Sequence, residues 1–152
     1  MGDRLKNIHR ALDLIQRDPE CVVQCNSPIY RTEAMYNKNL DYFYNSVISL
    51  VTSYSPSRLL SALKEIEIKL GRNTAETGYC ARPIDLDILT YGKHVIESEE
   101  LTIPHPHIKE RKFVLKPWSD IASEYIPPDT DMNIRELLQS TTDTSKVRVE
   151  KQ

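Results

Sequence analysis

Leu5, Ile8, Leu12 and Ile15 recur at intervals of three and four, which places them on one side of a helix over residues 3–17. Asp18-Pro19 ends it. Residues 22–29 have strand composition, with Pro28 marking a break or a sheet edge. Residues 33–41 are polar and aperiodic and read as a loop, whereas residues 45–52, rich in Val, Ile, Leu and Ser, read as a second strand. Ser55-Pro56 opens a second helix, because serine caps a helix start and proline is tolerated in its first turn. Leu59, Leu60, Leu63, Ile66 and Leu70 form its apolar stripe and Gly71 closes it. A polar loop over residues 72–81 leads into a third strand, residues 84–91, and Tyr91-Gly92-Lys93 turns toward Val95-Ile96 as a hairpin. Beyond Pro104-His105-Pro106-His107 a short helical stretch reaches about Val114. Asn133-Ile134-Arg135-Glu136 has capping-box chemistry and starts a last helix through Leu138. Residues 140–152 are polar and expected to fray; within them residues 146–150 alternate like a strand but are too polar for a buried central one.

Helix, two strands, helix, strand is most of a β-α-β-β-α-β unit. The predicted fold is therefore α+β, a ferredoxin-like antiparallel sheet with helices packed on it, as one domain over residues 1–139 followed by a polar tail over 140–152. A chain of 152 residues suits a single core. A net charge of -2 and a pI near 6.1 argue against a non-specific nucleic-acid binder, which needs a basic excess. No apolar run approaches a membrane span, so no membrane partner is expected. The N-terminal 17 residues carry Arg4, Lys6, Arg10 and Arg17 in an amphipathic pattern, as transit peptides do, but Asp3 and Asp13 favour a structural helix. Cys21, Cys25 and Cys80 contain no Cys-x-x-Cys and no zinc-ligand spacing, which points to reduced thiols.

The candidate chemistry concentrates in Arg82-Pro83-Ile84-Asp85-Leu86-Asp87-Ile88-Leu89. Side chains two apart on a strand share a face, so Asp85 and Asp87 point one way while Leu86 and Ile88 point the other. Two carboxylates side by side on a half-buried strand repel and lose hydration unless a cation sits between them. Mg²⁺ suits that role, since it takes one or two carboxylates and fills its other positions with water and phosphate oxygens. Arg82 adds a planar multi-donor cation fitted to phosphate. A solvated Asp-x-Asp pair with no ligand is the plainer reading of the same residues.

This segment resembles the signature of the 6-hydroxymethyl-7,8-dihydropterin pyrophosphokinase family. The resemblance continues in order through Tyr30-Arg31-Thr32, Phe43-Tyr44-Asn45, Glu65-Ile66-Glu67, Leu70-Gly71-Arg72, Leu101-Thr102-Ile103-Pro104-His105 and Arg111-Lys112-Phe113. It implies transfer of a pyrophosphoryl group from ATP to 6-hydroxymethyl-7,8-dihydropterin in folate biosynthesis, with AMP released and two Mg²⁺ ions on the triphosphate. In that frame Asp85 and Asp87 are the metal-binding and catalytic carboxylates and Arg82 is catalytic. Arg72, Arg82, His105 and Arg111 stand at ATP-binding positions. Phe43 and Phe113 are the aromatics between which the pterin stacks, Asn45 reads its polar edge, and Thr32 and Met35 line the pocket. Glu67 stays open between a nucleotide-associated residue and a surface ion pair with Lys64.

The chain departs from the family pattern at Cys80-Ala81, where Gly-Pro is common, and at Tyr79, where tryptophan is frequent. The family's first strand and its Gly-Ser-Asn loop have no counterpart ahead of Asp3, so the expectation is a truncated chain or a piece of a larger polypeptide. A non-catalytic remnant is the competing reading. Relatives occur alone and fused to other folate enzymes, and the expected location is the cytoplasm, with mitochondria left open.

Overall fold

A computed structural model of the chain describes residues 3–33, 42–72 and 83–151. Among these the element order is α1 (Arg4–Arg17), β1 (Cys21–Asn26), β2 (Tyr30–Thr32), β3 (Phe43–Asn45), β4 (Ile48–Thr52), α2 (Pro56–Lys69), β5 (Ile96–Glu97), β6 (Thr102–Ile103), α3 (Lys112–Ala122), α4 (Ile134–Ser140) and β7 (Val147–Val149). The strands form small sheets in the orders β1-β4, β3-β2-β7 and β5-β6. The pairs β2/β3, β2/β7 and β5/β6 are antiparallel, and the fold is α+β, compatible with a ferredoxin-like arrangement. The chain divides into two compact units, Met1–Val23 with Leu50–Ile88 and Gln24–Ser49 with Leu89–Gln152. Cys21 is buried and Cys25 exposed, both as free thiols.

In the first unit α1 and α2 pack on each other. Asp3 caps α1 by accepting from Lys6 N at 3.0 Å, and the helix buries Asn7, Ala11 and Ile15. Ser55 caps α2 by accepting from Arg58 N, with Pro56 in the first turn, as the sequence predicts. The buried stripe of α2 includes Leu59, Leu63, Ile66 and Leu70, but Ala62 and Glu67 share it while Leu60 is only half-buried. Gly71 follows at φ +106°, a conformation glycine adopts without strain. Gly71 N then donates to Ile68 O and Arg72 N to Glu67 O, both at 3.0 Å, which closes a Schellman motif.

The core of the second unit consists of Val47, Ile108, Leu115, Trp118, Ile134 and Leu137. Asn133 and Glu136 form the expected capping box at the start of α4, each accepting from the other's backbone N–H at 2.9 Å. Helix α3 begins later and runs longer than the short stretch expected to end near Val114. Leu115, Pro117 and Trp118 are buried along it, and this burial carries the helix through Pro117, which removes one backbone donor.

Four further expectations are corrected. Residues 84–91 belong to no strand ladder, although burial still alternates over 84–88. Their backbone groups bond elsewhere: Leu86 N donates to the Glu67 carboxylate, and Leu89 O accepts from His105 N. The hairpin after Gly92 forms between β5 and β6, with Ile96 opposite Ile103, so 95–96 does not pair with the preceding segment. The expected strand 45–52 ends its first ladder at Asn45 and resumes at Ile48, because buried Val47 turns to exchange bonds with Ser27. The tail, expected to fray, contributes β7, with Thr32 opposite Val147 and Tyr30 opposite Val149. An edge strand has a neighbour on one side only and tolerates the polar alternation of Val147-Arg148-Val149.

Candidate active site

Asp85 and Asp87 are both exposed, while Leu86 between them is half-buried and Ile88 is buried. Period-two burial therefore survives without a ladder and turns the two carboxylates outward together. The segment is fastened from within at two points. Asn7, buried on α1, donates its side-chain amide to Pro83 O at 3.2 Å. Glu67, 3% exposed on α2, accepts from Leu86 N at 2.8 Å through one carboxylate oxygen. Its other oxygen takes the Arg72 guanidinium. One buried carboxylate thus holds both the backbone between the aspartates and an arginine predicted to contact phosphate. The surface pair of Glu67 with Lys64 is not what forms. The signal was in the sequence: Glu67 falls on the buried stripe, four after Leu63 and three before Leu70, where a charge needs a partner.

Two exposed carboxylates offer hard oxygen donors and leave most of a Mg²⁺ octahedron to water and phosphate, so the donor set fits that ion. Among the described residues no group of three or more His, Cys, Asp or Glu side chains is placed to hold a metal. Arg82 and Met35 lie outside the described residues, as do Tyr79, Cys80 and Ala81.

In the second unit α3 packs against β2, β3 and β7. Opposed residues of antiparallel strands share a face, so Thr32, Phe43 and Val147 form one row and Tyr30, Asn45 and Val149 the next. Tyr30 defines that face as the one toward α3 by donating its hydroxyl to the Asp120 carboxylate. Burial, then that hydrogen bond and the Asp120 charge, push the Tyr30 phenol well above its ordinary pKa. Thr32 is 6% exposed, and its Oγ1 has no hydrogen-bond partner among the described residues. Phe43 is 46% exposed and Asn45 half-buried. A buried hydroxyl thus stands opposite an exposed aromatic ring across the ladder.

Phe113, half-buried, stands in the first turn of α3, and exposed Arg111 precedes that helix with its guanidinium 5.8 Å from the Phe113 ring centre. Lys112 N donates to Asp143 Oδ2 at 2.9 Å. Burial works against the charge on Asp143, but hydrogen bonds from Ser145 and from Lys112 N–H, with the Lys112 charge, outweigh it and hold its pKa below the usual carboxylate range. His105 is half-buried and its Nδ1 accepts from His107 N at 3.3 Å, which leaves the ring proton of the neutral imidazole on Nε2. His107 is exposed, as expected. Sequence reasoning did not single out Asn7 or Asp143, whose roles depend on partners 76 and 31 residues away.

Residues 1–123 match the family model for 7,8-dihydro-6-hydroxymethylpterin-pyrophosphokinase. The chain is 34% identical over 152 residues to the 2-amino-4-hydroxy-6-hydroxymethyldihydropteridine pyrophosphokinase of Bacillus subtilis, an alignment covering 100% of this chain and 86% of that protein. It is 39% identical over 144 residues to Folic acid synthesis protein fol1 of Pneumocystis carinii, covering 94% of this chain but 19% of that protein. It is 41% identical over 130 residues to the mitochondrial Folate synthesis bifunctional protein of Pisum sativum, covering 86% of this chain and 25% of that protein. The chain belongs to the 7,8-dihydro-6-hydroxymethylpterin-pyrophosphokinase family. It spans about a fifth to a quarter of the length of the fungal and plant relatives.

Proposed function

We propose that the chain transfers the terminal diphosphate of ATP to the hydroxymethyl oxygen of 6-hydroxymethyl-7,8-dihydropterin, giving AMP and the pterin diphosphate. The observation that carries this reading is the Asp85–Asp87 pair, turned outward on a segment that buried Asn7 and Glu67 fasten from within. Membership of the pyrophosphokinase family supports the same chemistry. Asp85 and Asp87 would hold Mg²⁺, two ions in this reading, which neutralise triphosphate charge when bound.

Transfer of this kind depends on positioning and electrostatic stabilisation, so the protein need not supply a covalent nucleophile. The pterin hydroxyl oxygen attacks the β-phosphorus and gives up its proton to water, the bond from that phosphorus to the α,β-bridging oxygen breaks, and AMP departs. Arg72, Arg82 and Arg111 donate to phosphate oxygens, and Glu67 preorients Arg72 for that task. His105 offers an Nε2–H donor to the same anion. Phe43 and Phe113 stack on the pterin, an interaction of about 0.5–1.5 kcal/mol beyond buried area. Asn45 reads the heterocycle's edge with its amide, Thr32 Oγ1, which has no partner among the described residues, bonds to it as well, and Met35 lines the same pocket.

We take residues 1–139 as the transferase domain. The bifunctional relative from pea supports a second reading in which this domain works inside a larger folate enzyme. No helix among the described residues is long and apolar enough to cross a membrane. We assign the chain to the cytoplasm, with mitochondria as the alternative that the pea relative's name supports. The test is AMP formation from ATP and the pterin alcohol by Asp85→Ala and Asp87→Ala. Each variant is expected to lose turnover while stability changes by no more than about 0.5 kcal/mol, as for an exposed side chain. Near-normal AMP formation by either one removes the metal assignment.

A further inference from the structure

Helix α3 starts without a cap of its own. Arg111 occupies the N-cap position but makes no side-chain hydrogen bond to the first turn. The first N–H groups of a helix need partners from outside it. Here the partner lies 31 residues downstream, where Asp143 Oδ2 accepts from Lys112 N at 2.9 Å. Asp143 is itself set by its neighbours: its Oδ1 accepts from Ser145 N at 2.9 Å, and its N donates to Thr141 Oγ1 at 3.2 Å. Thr141 Oγ1 in turn donates to Glu110 O at 2.9 Å. The polar run from Thr141 to Ser145 therefore grips the chain on both sides of Arg111.

The same run leads directly into β7. There Val147 lies opposite Thr32, Glu150 N donates to Ile29 O at 2.8 Å, and the Glu150 carboxylate pairs with Arg31 at 3.5 Å. One end of the segment holds the turn bearing Arg111 and Phe113, and the other is hydrogen-bonded to the strand bearing Thr32. All of it lies beyond the residues 1–123 that match the family model.

We propose that Asp143 is a positioning residue for substrate: its carboxylate caps α3 from outside and so fixes Arg111 and Phe113 relative to β2. This rests on the roles proposed above for Arg111, Thr32 and Phe113. A cap that served stability alone would lower the folded fraction and leave the affinity of folded molecules unchanged. A positioning cap also weakens pterin binding, and does so through Phe113.

The experiment is calorimetric titration of the full chain with the pterin alcohol, in the presence of Mg²⁺ and a non-hydrolysable ATP analogue. Asp143→Ala is expected to raise the pterin Kd roughly fivefold, the size of a lost helix cap. Asp143→Asn, which keeps one acceptor oxygen, should recover most of that loss. In a Phe113→Ala background the added effect of Asp143→Ala should shrink to less than about twofold, since coupled residues are non-additive. Hydrogen exchange of the same proteins should show protection lost at the Lys112 amide and kept in α4. Unchanged pterin affinity in Asp143→Ala, or the same fivefold loss with and without Phe113, overturns the positioning role alone. A parent chain that binds no pterin overturns the proposed function, and this role with it.

Discussion

The backbone N–H of Leu86 lies between two carboxylates that face outward and donates to a third, Glu67, that is buried. Removing that third carboxylate leaves both the Leu86 N–H and the Arg72 guanidinium without the partner they have now. A buried donor so stranded costs about 1–3 kcal/mol. Glu67→Ala is therefore expected to lower unfolding free energy by about that amount in urea titration, whereas Glu67→Gln, which keeps an acceptor for Leu86, loses less. Equal stability of Glu67→Ala and the parent would show that the bond to Leu86 N carries no weight. The Asp-x-Asp pair was legible because period two fixes which side chains share a face, and that property does not require a ladder. Glu67 was harder to read, since a nearby lysine offered a simpler partner than a backbone N–H 19 residues away.

At the scale of elements, α3 joins the sheet β3-β2-β7 to the candidate substrate residues. Phe113 is half-buried on it and stands outside the core cluster of Leu115, Trp118 and Ile134. Phe113→Ala should consequently weaken pterin binding far more than ATP binding and cost well under the ~3–5 kcal/mol of a deleted core aromatic. Calorimetry with each ligand beside thermal melting separates the two roles; equal affinity losses with a large drop in melting temperature would make Phe113 a core residue. The cap on the same helix is pH-dependent. The folded pKa of Asp143 is lowered, so its contribution is present above the ordinary carboxylate pKa and is lost as pH falls from there through the lowered folded value. Asp143→Asn should flatten the acid limb of stability against pH and leave the neutral limb parallel to that of the parent. Identical acid limbs would contradict the linkage. Helices α1 and α2 were readable from periodic apolar positions, α2 also from its cap at Ser55, and α4 from its capping box at Asn133, whereas the cap at Asp3 emerged only in the fold. Residues 84–91 and β7 were not, because ladder membership depends on distant partners rather than on the segment's own composition.

For the whole molecule, the ordered motifs between Tyr30 and Phe113 carried the family resemblance in the sequence itself, and the α+β class followed from the alternation of helix and strand patterns. The division into two units and the three small sheets were not legible, since both arise from contacts between segments far apart in sequence. The central claim is that this chain moves two phosphorus atoms at once to a pterin alcohol. Phosphorus NMR of the chain with ATP, Mg²⁺ and 6-hydroxymethyl-7,8-dihydropterin tests it most directly. The predicted spectrum shows AMP and a pterin-bound diphosphate appearing in equal amounts. A folded chain that yields ADP with a pterin monophosphate, or that leaves both substrates unchanged, would contradict it.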